Sequence, residues 1–141
     1  MKYFIISFLS IFVSFSSFSK EHVIDMLNKR DDGEKMVYSL DVAKIEVGDT
    51  IKWLPTNKGH NVEFLAGPDG SNLPKKSGLN KEVVMSFDTP GVYLYVCTPH
   101  KVMGMIALVV VGGDTSNKAA IAKVKMLGRG KKKLASLIGQ I

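Results

Sequence analysis

Two short apolar runs, residues 92–97 and 106–111, stand only eight positions apart and limit the fold more than any other feature of the chain. They read Val-Tyr-Leu-Tyr-Val-Cys and Ile-Ala-Leu-Val-Val-Val. Each is too short for a buried helix and rich in β-branched and aromatic residues, so both are expected as buried β-strands. The chain upstream repeats the theme. Extended stretches are expected at 23–27, 36–47, 50–54, 61–65 and 82–87, divided by Gly48-Asp49, by residues 55–59 and by Thr89-Pro90-Gly91. In 50–54, Ile51 and Trp53 fall on one face and Thr50 and Lys52 on the other, the alternation of a half-buried strand. A long Gly/Pro/Lys loop is expected at 66–80. Several short strands at this spacing predict a mainly β sandwich or barrel.

The period changes after Asp114-Thr115-Ser116, a segment suited to capping a helix. Ile121, Val124 and Leu127 share one helical face, with Gly128 where that helix would stop. Leu134, Leu137, Ile138 and Ile141 follow the i, i+3, i+4, i+7 pattern of a second amphipathic helix. Two short helices are therefore expected to close the chain and to pack on the edge or end of the β-domain.

Met1-Lys2 and the apolar, Ser-containing run to Ser17-Phe18-Ser19 have the parts of a secretory signal peptide: a basic start, a short apolar centre and small residues at the cut. The run is shorter than the roughly 20 residues of a spanning helix. The expected organisation is a cleaved signal at 1–19, a β-sandwich at 20–113 and a helical extension at 114–141 on the same domain. Export gives meaning to the cysteine count. Disulfides form outside the cytoplasm, yet Cys97 is the only cysteine, so no internal bridge can form.

The net charge of +6 is unevenly spread. Residues 20–117 hold eleven Lys/Arg against thirteen Asp/Glu, whereas 118–141 hold seven Lys/Arg and no acid. The basic tail lacks the interleaved aromatics of a nucleic-acid stacking platform and reads as the solvated face of the terminal helices.

The chemistry concentrates in the loop between the two apolar runs, Cys97-Thr98-Pro99-His100-Lys101-Val102-Met103-Gly104-Met105. A thiolate, an imidazole and thioethers gathered together suit copper, for which a His₂Cys set with a weak axial Met is the electron-transfer arrangement. The second imidazole must come from elsewhere. His60, between Gly59 and Asn61 at a turn, is favoured over His22 near the start of the exported chain. Spacing alone leaves Met103 and Met105 both open as the thioether.

Lys58-Gly59-His60-Asn61-Val62-Glu63 and the run from Cys97 to Leu108 resemble the two ligand segments of the cupredoxins, and more closely those of the pseudoazurins. Met26-Leu27-Asn28-Lys29, Gly48-Asp49-Thr50 and the helical tail extend the resemblance over essentially the whole exported chain. It implies a cupredoxin-like Greek-key β-sandwich with two short C-terminal α-helices, holding one type 1 copper through His60, Cys97, His100 and Met105. Gly104-Met105-Ile106 at the start of the last strand and the tail, which amicyanins lack, point to Met105 over Met103. The resemblance further implies a periplasmic, monomeric electron carrier rather than an enzyme. Its implied partners are redox proteins docking near His100: a copper-containing nitrite reductase or similar denitrification reductase, and c-type cytochromes. Nucleic acid, and a membrane once the signal is cleaved, are not among them. The Asn61 amide is expected to bond the Cys97 sulfur and its side chain to brace the ligand loop. Lys29, Lys58, Lys75, Lys76, Lys81 and Lys101 lie in loops that would ring the docking end. Lys101 and residues 66–80 depart from the family pattern.

Three other readings start from the same residues. Cys97 as a catalytic nucleophile leaves the methionines unexplained. Structural zinc seldom uses methionine. A copper carrier that hands its metal on is the nearest alternative, although one ligand here comes from a distant segment.

Overall fold

The computed structural model describes residues 18–141, so nearly all of the expected signal segment lies outside the described residues. Eight strands form two four-stranded sheets. In the first, the order is β2 (Lys35–Tyr38), β1 (Glu21–Lys29), β4 (Thr50–Leu54), β6 (Val83–Ser86). The second is ordered β3 (Val42–Ile45), β8 (Ile106–Val111), β7 (Gly91–Val96), β5 (Glu63–Ala66). β1 runs parallel to β4 and β3 parallel to β8, while the other neighbours are antiparallel. The segment expected as one extended stretch over 36–47 is in fact two strands in different sheets. The chain turns at Ser39–Leu40–Asp41 and crosses from one sheet to the other. Apolar alternation runs through this corner unbroken, which is why it is hidden in the sequence.

The sandwich core explains why β7 and β8 carry no polar face. Tyr93, Tyr95, Ala107, Val109 and Val111 point between the sheets, where they meet Ile24, Ile51, Trp53 and Phe87. The alternate residues Val92, Leu94, Val96, Ile106, Leu108 and Val110 form a second core with Ile121, Leu134 and Leu137. These last three belong to two helices, α1 (Lys118–Ala122) and α2 (Arg129–Ile138). The helices lie across the outer face of the second sheet and not at an edge or end, so both sides of β7 and β8 are dry. Deleting a buried leucine such as Leu134 or Leu137 costs about 2–5 kcal/mol.

α1 is only five residues long and stops at Ala122, well short of Gly128. Ile121 is buried, but Leu127 is 74% exposed. A helix this short draws its stability from packing and not from its own propensity. Once Ile121 is seated, the chain leaves the helix to turn back over the sheet. Gly128 then has a different role from the expected terminator, since its φ of +57° leads directly into α2. Among the described residues no helix is long and apolar enough to cross a membrane.

Candidate metal centre

The loop from β7 to β8 is closed by its own backbone. The Cys97 amide donates to the Met105 carbonyl at 3.0 Å, and the His100 amide returns to the Cys97 carbonyl at 3.0 Å. One 3-10 turn follows, Lys101–Met103, in which the Met103 and Met105 amides share the His100 carbonyl at 2.9 and 3.2 Å. Gly104, at φ +102°, provides the left-handed step that brings Met105 back beside Cys97. Three of the expected ligands are thereby gathered by local geometry.

His60 arrives by a different route. It is fully buried, and its Nε2 lies 2.8 Å from Asn28 Oδ1. An amide oxygen only accepts, so Nε2 carries the proton and Nδ1 presents a lone pair. Asn28 is itself fixed, its amide donating to Asn57 Oδ1 at 2.8 Å. Asn80 holds both sides of the turn: its side-chain oxygen accepts from the Gly59 amide and its own amide donates to the His60 carbonyl at 2.9 Å.

These segments bring three donor atoms face to face. His60 Nδ1 is 3.2 Å from His100 Nδ1, and Cys97 Sγ is 3.7 Å from the first and 3.4 Å from the second. Among the described residues, His60, Cys97 and His100 are the cluster of side chains placed to hold a metal ion. Donors that share an ion at about 2.0–2.3 Å stand about this far apart. Burial holds the imidazoles of His60 and His100 below the ordinary histidine range, and His60 is lowered further by His100. Burial also pushes the Cys97 thiol up, partly offset by the backbone amides of Asn61 and His100. Without metal, burial therefore favours the neutral form of all three groups, leaving the imidazoles as electron-pair donors. A soft sulfur with two imidazoles fits copper.

Met105 is fully buried in the same core cluster as Cys97. Met103 is 46% exposed on the turn. His22 lies elsewhere, its Nε2 2.8 Å from Asp49 Oδ2, and has no part in the cluster. A buried thiol with a raised pKa is also a poor nucleophile, contrary to the enzyme reading.

The Asn61 side chain braces the loop as expected. Its Nδ2 donates to Thr98 Oγ1 at 2.9 Å and its Oδ1 accepts from the Thr98 amide at 2.8 Å. Two supports escaped sequence reasoning. Tyr38 donates its hydroxyl proton to the Asn61 carbonyl at 2.8 Å, and the Thr98 hydroxyl donates to Glu63 Oε2 at 2.8 Å. Glu63 also faces Lys101 Nζ at 3.7 Å, so this lysine is tied back to β5. Lys76 lines a groove of about 380 Å³ with Leu79, Thr98 and Pro99 beside the site.

Known proteins place the chain in a family. Copper binding proteins of the plastocyanin/azurin family match residues 24–112. The pseudoazurin of Methylorubrum extorquens is 39% identical over 135 residues, covering 94% of this chain and 90% of that protein. The pseudoazurin of Paracoccus pantotrophus is 35% identical over 126 residues, covering 88% and 86%. The crystal structure of native pseudoazurin from Hyphomicrobium denitrificans superimposes with a TM-score of 0.79 at 41% identity, covering 86% of this chain and 98% of that one. With its converged nitrogen and sulfur donors, the chain belongs to the plastocyanin/azurin family of copper binding proteins and, within it, to the pseudoazurins, electron carriers with one type 1 copper and not enzymes.

Proposed function

We propose that His60, Cys97, His100 and Met105 hold the copper and that the protein ferries single electrons between redox proteins in the periplasm. The observation that carries this reading is the convergence of His60 Nδ1, His100 Nδ1 and Cys97 Sγ within 3.7 Å of one another. Bound there, copper supplies a one-electron couple between its two oxidation states. The protein's contribution is to keep the donors still. His60 is held through Asn28, and Cys97 and His100 through the loop backbone. Little has to move when the charge changes, and backbone amides near the sulfur would tune the potential. Met105 would supply the thioether in this reading because it is buried in the same cluster as Cys97 while Met103 faces solvent.

His100 is the ligand that is not fully buried, which makes its ring edge the electron port. Exposed Val102 and Met103 stand next to it as an apolar contact surface. A copper-containing nitrite reductase or similar reductase and c-type cytochromes are the partners this surface would meet, with a single chain as the working unit. Residues 1–19 act as a cleaved export signal, and residues 20–113 with the helices of 114–141 form one domain. The alternative, a carrier that hands copper to another protein, is disfavoured by the burial of His60 and Cys97.

The test is the visible spectrum of the protein with Cu(II), before and after a mild reductant. An intense thiolate-to-copper band that bleaches and returns is the expected result. Folded, thiol-reduced protein without the band would overturn the reading. Met105→Ala should change the band and Met103→Ala should leave it; the reverse would transfer the thioether role to Met103.

A further inference from the structure

The entrance to α2 is pressed against the ligand loop at two glycines. A Cβ on Gly130 would stand 2.5 Å from the Lys101 carbonyl oxygen, and one on Gly128 would stand 2.8 Å from the Val102 carbonyl oxygen. Gly104 meets the same helix from the loop side, its Cβ direction facing Arg129 at 3.8 Å. Gly128-Arg129-Gly130 thus straddles the 3-10 turn between His100 and Met105. Glycine is a poor choice for the first turn of a helix, where alanine would be favoured. Gly130 is buried there with an ordinary helical backbone, so close approach and not conformation accounts for it.

The helix cannot easily yield. Leu134 and Leu137 are buried against β7 and β8. Lys133 Nζ is tied to Asp41 Oδ2 at 2.6 Å, and Asp41 is held in turn by Arg30 at 3.0 Å. Met126 Cε, 3.1 Å from the Gly130 Cβ position, is a flexible end that can swing away, but the Lys101 carbonyl belongs to the turn itself. That carbonyl accepts the Gly104 amide at 3.2 Å, one residue before Met105 and one after His100 in the chain of loop bonds.

We propose that Gly130, seconded by Gly128, is a positioning residue for the copper site: the α2 entrance sets the height of the turn that carries His100 and Met105. This rests on the copper reading above. In Gly130→Ala the Lys101 carbonyl is displaced and the two copper ligands flanking the turn shift with it. Propensity alone would make this substitution stabilising. Gly139→Ala, at the exposed other end of α2, is the matched control, since its Cβ would meet only carbonyls of its own helix.

The experiment compares wild type, G130A and G139A loaded with Cu(II), reading the ratio of the thiolate-to-copper charge-transfer bands and the reduction potential. The expected result is a changed ratio and a displaced potential in G130A, with G139A superimposing on wild type. A G130A spectrum and potential equal to wild type overturn the proposal. The metal-free proteins give an independent reading. Amide exchange at Gly104 and Met105 should rise about tenfold in G130A and be unchanged in G139A. If wild type itself takes no copper, the copper reading fails and this exchange result alone decides whether α2 sets the turn. Should G130A not fold, Lys133→Ala loosens α2 without adding bulk. Faster exchange of the same two amides then supports the proposal, and unchanged exchange overturns it.

Discussion

The two arms of the metal centre are built on opposite plans. Cys97, His100 and Met105 sit on one short loop whose backbone bonds run almost entirely within itself. His60 stands 37 positions from Cys97 and owes its place to side chains from three other segments: Asn28, Asn80 and, through the Asn61 carbonyl, Tyr38. One arm is fixed by local geometry, the other by the assembled sandwich. His60 thus reaches the loop only through the packing of the two sheets, while the loop, closed by its own backbone, is braced from outside by the Asn61 side chain. If copper binds there as proposed, the fold itself holds the donors in place, which suits a small rearrangement per electron.

The strongest way to break the comparison is to remove the one donor that both arms face. Cys97→Ser should abolish the charge-transfer band outright while the protein still folds. Placing a hydroxyl in that fully buried position costs about 1–3 kcal/mol, a fall of several degrees in Tm. A band that survives would mean that sulfur is not the principal donor. Next in size is the remote arm. Asn28→Ala leaves His60 Nε2 without its partner and frees the ring to turn or change tautomer. Copper affinity should fall roughly 10–100-fold, measured by competition with a chelator, which is the usual effect of losing a partner of a ligand imidazole. If affinity is unchanged, the sandwich alone orients His60 and the side-chain chain from Asn57 to Asn28 is incidental.

These two tests track what the sequence makes legible. The local arm is written in one run of nine residues, so Cys97 and His100 stand out by residue type and spacing, while the choice between Met103 and Met105 rests on the family resemblance. β4 and β8 are equally plain because a strand's alternation, or its lack, is a local signal, and both match their expected bounds. His60 is marked as a candidate ligand by the turn it sits in, but Asn28 is 32 positions away from it, and no pattern in one chain marks a hydrogen bond across that distance. The failures share this cause. The corner at residues 39–41 and the early end of α1 are decided by which sheet or face the next segment must reach. The expected placement of the helices at an edge or end fails because an apolar strand looks the same whether a sheet or a helix covers its second face. The alternating membership of β7 and β8 in two cores resolves that only in three dimensions.

A third test asks whether the arms are held neutral. In the metal-free protein His60 and His100 both titrate below the ordinary histidine value of 6.5 because burial opposes their charged forms. Between the folded and unfolded values the unfolded chain binds more protons, so stability is greatest above about pH 6.5 and declines as pH falls toward the lowered folded values. Denaturant midpoints of metal-free protein across this window should fall with acidity. Bound copper occupies the ring nitrogens, so acid should then act by weakening metal binding instead. A metal-free midpoint that stays level below pH 6.5 would show that the rings charge freely and that the site is more open than its burial implies.

The smallest effect belongs to an ionic contact between the arms. Lys101 leaves the loop beside His100 and reaches Glu63 on β5, three residues after His60, with side chains 38% and 24% exposed. Such a partly exposed pair contributes less than about 1 kcal/mol and is screened by salt. Lys101→Ala should therefore move the denaturant midpoint barely at all, and the charge-transfer band not at all, because Thr98 still donates to Glu63 and the loop backbone still closes. Its consequence should appear in association instead. Removing a cation next to partly exposed His100 should lower the rate of encounter with an acidic redox partner, and the loss should shrink as ionic strength rises. Stopped-flow electron exchange with such a partner at two salt concentrations separates the possibilities. A rate deficit that persists at high salt, or a shifted band, would mean that the lysine positions the loop and that the two arms are coupled through Glu63 after all.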